Sequence, residues 1–240
     1  MNKLNPNWIV GFVDGDGHFG FSNDKKVFYF VVSQDKISVN VLYAIKEFFQ
    51  CGSVHKAGKN MREYKVSSKK HLENIIIPFF KKYQLQTSKR QSFEKFVNTL
   101  NPNLLLDYKP IDYLNINWLI GFIDAEGCFV CSLVNGTIRP QFIIGLKSTD
   151  KNIIDKIKQF LDFGTSYTRK NSVEVFQLSS NKNMCTFARK VILTNGFKDN
   201  LKTFKRIRAR KWCKIVFLME EKQHKTIDGF NKIEKLLINF

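Results

Sequence analysis

Residues Trp8-Ile9-Val10-Gly11-Phe12-Val13-Asp14-Gly15-Asp16-Gly17 return, little changed, 110 positions later as Trp118-Leu119-Ile120-Gly121-Phe122-Ile123-Asp124-Ala125-Glu126-Gly127. Each run is apolar up to a last turn that carries two acids, the second set between a small residue and a glycine. One such run is an ordinary buried helix. Two of them, half a chain apart, predict a pseudo-symmetric body with a paired metal site, because each run delivers an acid to an equivalent place.

The recurrence continues past these runs, and an internal repeat constrains a fold before any single element does. Ile45-Lys46-Glu47-Phe48-Phe49-Gln50-Cys51-Gly52-Ser53 returns as Ile157-Lys158-Gln159-Phe160-Leu161-Asp162-Phe163-Gly164-Thr165, an offset of 112. Ser67-Ser68 returns as Ser179-Ser180 at the same offset, and Leu85, Thr87, Lys89 and Arg90 return as Leu201, Thr203, Lys205 and Arg206 at 116. Four blocks in the same order mean duplication. The drift of the offset reads as small, loop-sized insertions. The chain divides into an N-terminal repeat over 1–100, a linker over 101–117 containing Pro102 and Pro110, and a C-terminal repeat over 118–240.

Charge narrows the class of partner. The 39 Lys plus Arg against 21 Asp plus Glu give a net charge of +18, a field that attracts polyanions and speeds their encounter with the protein. Hydrophobic residues make up 43% of the chain, which excludes a basic disordered tail. The stretch 198–214 interleaves eight basic residues and one acid with Phe204, Ile207, Trp212 and Cys213. No apolar run reaches the length of a membrane span, and the first motif begins at Trp8, leaving no room for a signal or transit peptide. Five irregularly spaced cysteines fit a reducing compartment. Cys128 and Cys131 form a lone C-x-x-C without the second pair a structural zinc needs. His18, His55, His71 and His224 show no ligand spacing, and His18 recurs as Cys128, so it has no role common to both halves.

Asn5-Pro6-Asn7 and Leu114-Asn115-Ile116-Asn117 supply helix-start chemistry. The first helix is predicted to reach Asp14 or Gly15, with Gly17 as its stop. Phe19 to Phe21 and Val27 to Ser33 read as strands joined by the turn Asn23-Asp24-Lys25-Lys26. Ser38 to Phe49 has helical period. A second hairpin, Ser53 to Lys56 and Tyr64 to Ser67, turns around Gly58-Lys59-Asn60, and helices follow over Lys70 to Phe80 and Lys89 to Leu100. The second half repeats this order, with strands near Phe129 to Val134 and Arg139 to Leu146. The fold class is α+β: two α-β-β-α-β-β-α halves, each a four-stranded antiparallel sheet backed by helices. Alternation places Phe28, Phe30 and Val32 on one face, and Tyr29, Val31 and Ser33 on the other. Arg62, Lys65, Arg139, Gln141, Lys147, Arg169 and Lys170 lie in or beside strands, where side chains can reach a major groove.

Gly11 and Gly15 share a helix face, as do Gly121 and Ala125. Small residues let two backbones approach closely, so the two motif helices can cross and bring Asp16 and Glu126 near a common axis. Paired carboxylates repel unless a divalent cation neutralises them. Oxygen ligands suit Mg²⁺ or a similar hard ion such as Mn²⁺ or Ca²⁺, the usual agent of phosphodiester hydrolysis.

At these residues the chain resembles the LAGLIDADG homing endonucleases of the single-chain, two-motif type. The motif letters correspond to Ile9 through Gly17 and Leu119 through Gly127, and the likeness of arrangement spans nearly the whole chain. The resemblance implies that the motif helices form the interface between halves, that Asp16 and Glu126 bind the catalytic metals, and that the carbonyls of Gly15 and Ala125 are further ligands. It implies a saddle of two sheets over a long asymmetric duplex DNA site, with both strands cut across the minor groove. A polar residue at the end of the second strand faces the scissile phosphates in such proteins, which nominates Gln34 and Lys147. A basic residue near the start of the late helix organises water or stabilises charge, which nominates Lys89 and Lys205, with Arg90 and Arg206 adjacent. The protein is expected to act as a monomer.

Richness in Phe, Lys, Asn and Ile, without a targeting segment, fits an intron reading frame translated inside a mitochondrion or chloroplast. Two other readings stay open: an RNA maturase that binds its host intron, and a DNA-binding regulator that has lost cleavage. Retention of both motif acids favours the enzyme.

Overall fold

The computed structural model describes residues 4–24, 26–106, 113–193, 200–238 and 240. Lys25 of the first turn, 107–112 of the linker with Pro110, and Lys198 and Asp199 of the basic stretch lie outside them. The chain separates into two units, Met1–Ala125 and Glu126–Phe240.

In the first unit the Asn5 side chain accepts from the Asn7 N–H at 2.9 Å, and Pro6 fills a first-turn position whose N–H would have no partner, which starts α1 (Pro6–Asp16). The helix runs slightly past its expected end. Gly17 then takes extended geometry (φ −84°), so it is not a left-handed stop. Its glycine is needed for space: a Cβ there would lie 2.4 Å from Val13 Cγ1. The chain continues through β1 (Gly17–Ser22), β2 (Val27–Asp35), α2 (Val39–Phe49), β3 (Ser53–Lys56) and β4 (Met61–Val66). Next come α3 (Lys69–His71), a π-helical stretch Leu72–Ile76, α4 (Ile77–Lys82), α5 (Lys89–Leu100) and α6 (Ile116–Glu126), whose last residue belongs to the second unit. The strands form an antiparallel sheet in the order β1-β2-β4-β3.

The second unit repeats the plan with β5 (Cys128–Val134), β6 (Thr137–Lys147), α7 (Lys151–Leu161), β7 (Thr165–Thr168) and β8 (Val173–Leu178), in the order β5-β6-β8-β7. After α8 (Asn181–Phe187), a π-helical stretch Ala188–Ile192 and α9 (Lys205–Glu220) comes α10 (Ile227–Leu237), which has no counterpart among the described residues of the first repeat. The fold is the α+β arrangement of two antiparallel sheets backed by helices that the sequence predicts.

The drift in offset has structural causes. The β1–β2 turn occupies four residues, whereas β5 and β6 run longer and turn through Asn135-Gly136 with φ of 49° and 71°, a two-residue hairpin suited to strand twist. The later step from 112 to 116 is not loop-sized in the sense expected. Helix α8 has seven residues against three in α3, one extra helical turn before the π stretch.

The side of each sheet occupied by Phe30, Val32, Tyr64 and Val66, or by Phe142, Ile144, Phe176 and Leu178, is buried. In the first unit Phe19, Phe30, Phe80 and Phe93 pack with ring centroids 4.9–5.7 Å apart, each burial contributing about 1.5–3 kcal/mol. In the second, Phe129 and Phe187 pack against Trp212 and Phe142 packs against both phenylalanines, while the Trp212 indole N–H donates to the Gln141 carbonyl at 3.0 Å. Helix α10 adds a separate cluster of Ile138, Ile215 and Ile233.

Helices α1 and α6 cross in contact inside the first unit. A Cβ built on Gly11 would stand 2.0 Å from the Trp118 carbonyl oxygen, and one on Gly121 would stand 2.0 Å from that of Trp8. Only glycine allows backbones this close.

Candidate metal site and nucleic-acid interface

Asp16 closes α1, and the Gln34 amide meets it: Nε2 donates to Asp16 Oδ2 at 2.5 Å. Gly17 pairs with Val32 across the β1–β2 ladder, which carries Gln34, two residues further, past the end of the helix. Lys89 opens α5 and donates from Nζ to the carbonyl of Gly15 and, at 3.3 Å, to that of Val13. The structure thus brings together four residues nominated from sequence: Gly15, Asp16, Gln34 and Lys89. It also separates Lys89 from its neighbour, because Arg90 Nε donates to Glu94 along the helix at 3.2 Å.

Asp14, the first acid of the motif, has a different role. It is buried, and its carboxylate accepts from the Thr87 hydroxyl at 2.7 Å, the Thr87 and Gln86 N–H groups, and the Trp118 indole at 2.8 Å. Burial raises its pKa, opposed by these hydrogen bonds. The contacts tie the start of α5 to the end of α1 and so position Lys89. Sequence reasoning missed this, although Asp14/Asp124 and Thr87/Thr203 both recur.

The second repeat builds the same turn. Thr203 Oγ1 accepts the Lys205 N–H at 3.2 Å, as Thr87 Oγ1 accepts that of Lys89 at 3.3 Å. Glu126 closes α6 as Asp16 closes α1, and Ala125 is penultimate there as Gly15 is in α1. The expected equivalence of Gln34 and Lys147 does not hold. Phe30 pairs with Val66 and Phe142 with Leu178, so strand positions correspond at an offset of 112. Gln34 therefore corresponds to Leu146, and Lys147 to Asp35. Matching by strand end is off by one residue, and one residue in a strand reverses the face.

The sheet residues sort the same way. Lys65 shares a face with Tyr29, Val31, Ser33 and Glu63, lining a concavity of about 700 Å³. Its ammonium lies 4.7 Å from the Tyr29 ring centre, and Ser33 Oγ donates to Glu63 at 3.2 Å. Arg62 is on the other face, paired with Gln34 in register, and donates to the Met61 carbonyl at 2.8 Å. Residues three apart on a strand point oppositely, so Arg62, although in a strand as expected, does not share a face with Lys65. In the second sheet Arg139, Gln141 and Lys147 alternate with buried Ile138, Phe142 and Ile144 and share the opposite face. Arg169 and Lys170 are exposed in the β7–β8 turn. Cys128 and Cys131, three apart on β5, likewise point to opposite faces. No helix among the described residues is long and apolar enough to cross a membrane.

A model of the LAGLIDADG endonuclease family matches residues 9–100 and 119–216. The chain is 29% identical over 232 residues to probable intron-encoded endonuclease 4 of Neurospora crassa, covering 90% of this chain and 41% of that protein. It is 27% identical to probable intron-encoded endonuclease Cox1-I1b of Schizosaccharomyces pombe, covering 86% and 62%. It therefore spans less than two thirds of either relative. An uncharacterised mitochondrial protein, RF1 of Saccharomyces cerevisiae, is 30% identical over 148 residues, 51% of this chain and 31% of that protein. Among solved structures, the I-LtrWI homing endonuclease bound to target DNA superposes with a TM-score of 0.83 at 23% identity over 96% of both chains. I-SmaMI bound to uncleaved DNA in the presence of calcium ions superposes with a TM-score of 0.77 at 23% identity over 98% of both. These likenesses establish the fold.

Proposed function

Because this chain belongs to the LAGLIDADG endonuclease family, we propose that it is a site-specific endonuclease that cuts both strands of a long asymmetric duplex DNA by metal-dependent hydrolysis. The observation that carries the reading is the convergence of Asp16, the Gly15 carbonyl, Gln34 and Lys89 at the end of α1.

The donors fit a hard divalent ion. A carboxylate and a backbone carbonyl are oxygen ligands, and the Gly15 oxygen already draws the Lys89 ammonium, a cation. No three His, Cys, Asp or Glu side chains gather into a metal cluster among the described residues. Mg²⁺ does not need one, since it keeps several waters and takes one or two carboxylates plus substrate phosphates. In this reading Asp16 with the Gly15 carbonyl, and Glu126 with the Ala125 carbonyl, hold the ions. Bound there, a divalent ion would lower the pKa of water and neutralise charge developing on the phosphate. Hydrolysis joins a water oxygen to phosphorus and breaks one P–O ester bond, and the water's protons pass to solvent and the departing oxygen. Gln34 holds the Asp16 carboxylate and offers its own carbonyl oxygen to a water. Lys89 supplies positive charge, and Lys205 takes the equivalent place in the second repeat.

The uncovered sheet faces, with Lys65 on one and Arg139, Gln141 and Lys147 on the other, suit a B-form major groove. The turn residues Arg169 and Lys170 suit the phosphate backbone. Since one chain supplies both repeats, the protein works as a monomer on a site of roughly two helical turns. The naming of its relatives supports an organellar intron gene, with the mitochondrion favoured over the chloroplast.

The test is selection of cleavage sites from a randomised duplex library in Mg²⁺, beside a titration against the host intron RNA. One enriched sequence with cuts on both strands near its centre is expected. Preference for the RNA, with no duplex cut in Mg²⁺ or Mn²⁺, would leave the maturase reading standing.

A further inference from the structure

The uncovered face of the first sheet carries an acid where a DNA-binding surface has least use for one. Among the described residues that line its concavity Glu63 is the one carboxylate, two residues from Lys65 on the same strand and face. The two charges do not pair. The Lys65 ammonium lies over the Tyr29 ring, 4.7 Å from its centre, whereas Glu63 is held by its own cross-strand neighbours. Ser33 and His55 flank it in register on β2 and β3. Ser33 Oγ donates to Oε1 at 3.2 Å, and His55 Nε2 lies 3.6 Å from Oε2. The carboxylate is thus fixed from both sides while its side chain stays 29% exposed. An ionised carboxylate accepts at about four lone-pair positions, and Ser33 uses one, so acceptors remain for a ligand.

A carboxylate is repelled by phosphates and can only accept a hydrogen bond. The donors of a major groove are the amino groups of cytosine, N4, and of adenine, N6. Adenine sets its N7 acceptor beside the amino group, and that lone pair faces a carboxylate badly. Cytosine has no acceptor on this edge, and the guanine paired with it offers O6 and N7 to a cation such as Lys65. We infer that Glu63 reads a cytosine in the target, with Ser33 as its positioning residue, so that a C·G pair is required under the first repeat. The inference rests on the endonuclease reading above, in which this face meets duplex DNA. The second repeat lacks the reader: at the offset of 112, Ser33, Glu63 and His55 correspond to Gly145, Val175 and Tyr167, a cross-strand row without an acid. The requirement therefore belongs to one half-site.

The experiment selects a randomised duplex library with the full chain, once by binding and once by cleavage in Mg²⁺. Wild type is expected to favour cytosine at one position of one half-site by about tenfold or more over the other bases. A glutamine amide both donates and accepts, as adenine N7 and N6 require, so Glu63→Gln should move the preference there from cytosine to adenine and leave other positions alone. Glu63→Asp, which shortens the reach, and Ser33→Ala, which frees the carboxylate to turn, should weaken the cytosine preference at that same position. Ser33→Thr should restore it. A loss of preference spread over all positions would mean that Glu63 only supports the sheet, and an unchanged profile in Glu63→Gln would mean a solvated acid. Either result overturns the inference while the endonuclease reading stands. Sequence-dependent binding without any cut would overturn the endonuclease reading, and a cytosine-to-adenine switch in the bound pool would still uphold the role of Glu63. A wild type that enriches no duplex sequence would overturn both.

Discussion

Where α1 and α6 cross, the repeats are interchangeable: Gly11 lies against the backbone of Trp118 and Phe122 as Gly121 lies against that of Trp8 and Phe12. Away from the crossing they part. The Trp118 indole donates to Asp14 at 2.8 Å, whereas the Trp8 indole nitrogen is buried without a hydrogen-bond partner among the described residues. Hairpin β1–β2 is short and backed by α5, whereas β5–β6 is longer, and its Ile138 packs against α9 and α10. The difference shows which constraints survive duplication. A backbone-to-backbone contact admits only glycine on both sides. A side-chain hydrogen bond contributes about 1–3 kcal/mol when its partner is a buried charged or strongly polar group, and one repeat can lose it while the fold persists.

The contrast can be broken first at the crossing. Gly11→Ala puts a methyl group 2.0 Å from a carbonyl oxygen that cannot move aside. Overpacking of that kind should cost about 3 kcal/mol or more, a fall in Tm of roughly 10 °C for a chain of this size. Gly145→Ala is the control. Its new Cβ would meet only Val173 Cγ1 at 3.4 Å, so its melt should stay within about 0.5 kcal/mol of wild type. Equal losses in the two variants would remove the crossing as the special constraint.

A middle-sized effect belongs to α10. Ile233→Ala should cost about 2–3 kcal/mol through the cavity left beside Ile138 and Ile215. Amide exchange should rise across β5 and β6 and stay unchanged across β1 and β2. A uniform rise would deny that α10 braces its own hairpin. The smallest effect separates the tryptophans. Trp118→Phe removes the bond to Asp14 and should cost about 1–2 kcal/mol more than Trp8→Phe, which removes none. Equal costs in urea unfolding would contradict the asymmetry at Asp14.

Much of this was readable from the chain. Recurrent blocks imply two halves, alternation around Phe30 and Val32 implies the buried face of a sheet, and the glycine spacing implies the close crossing. What escaped depends on register and on distance in space. Pairing Gln34 with Lys147 counts from the strand end, and only the ladder shows Leu146 in that place. Arg62 and Lys65 look like neighbours in sequence but occupy opposite faces. The shift to 116 reads as a loop until α8 shows an added turn. Helix α10 had a legible signal in the spacing of Ile227, Phe230, Ile233 and Leu237, without a matching block in the first half to draw attention to it. The contacts of Asp14 join residues 72 to 104 positions apart, which spacing alone does not connect.

The most direct test of the paired-acid site is double-strand cleavage by Asp16→Asn and Glu126→Gln in Mg²⁺, with duplex binding measured beside it. Each change removes a carboxylate ligand while adding no bulk. Double-strand cutting should fall by about 10³-fold or more in each, with binding within a few-fold of wild type and residual nicking confined to one strand. Full cutting of both strands by either variant would contradict the assignment of one metal-binding acid to each repeat.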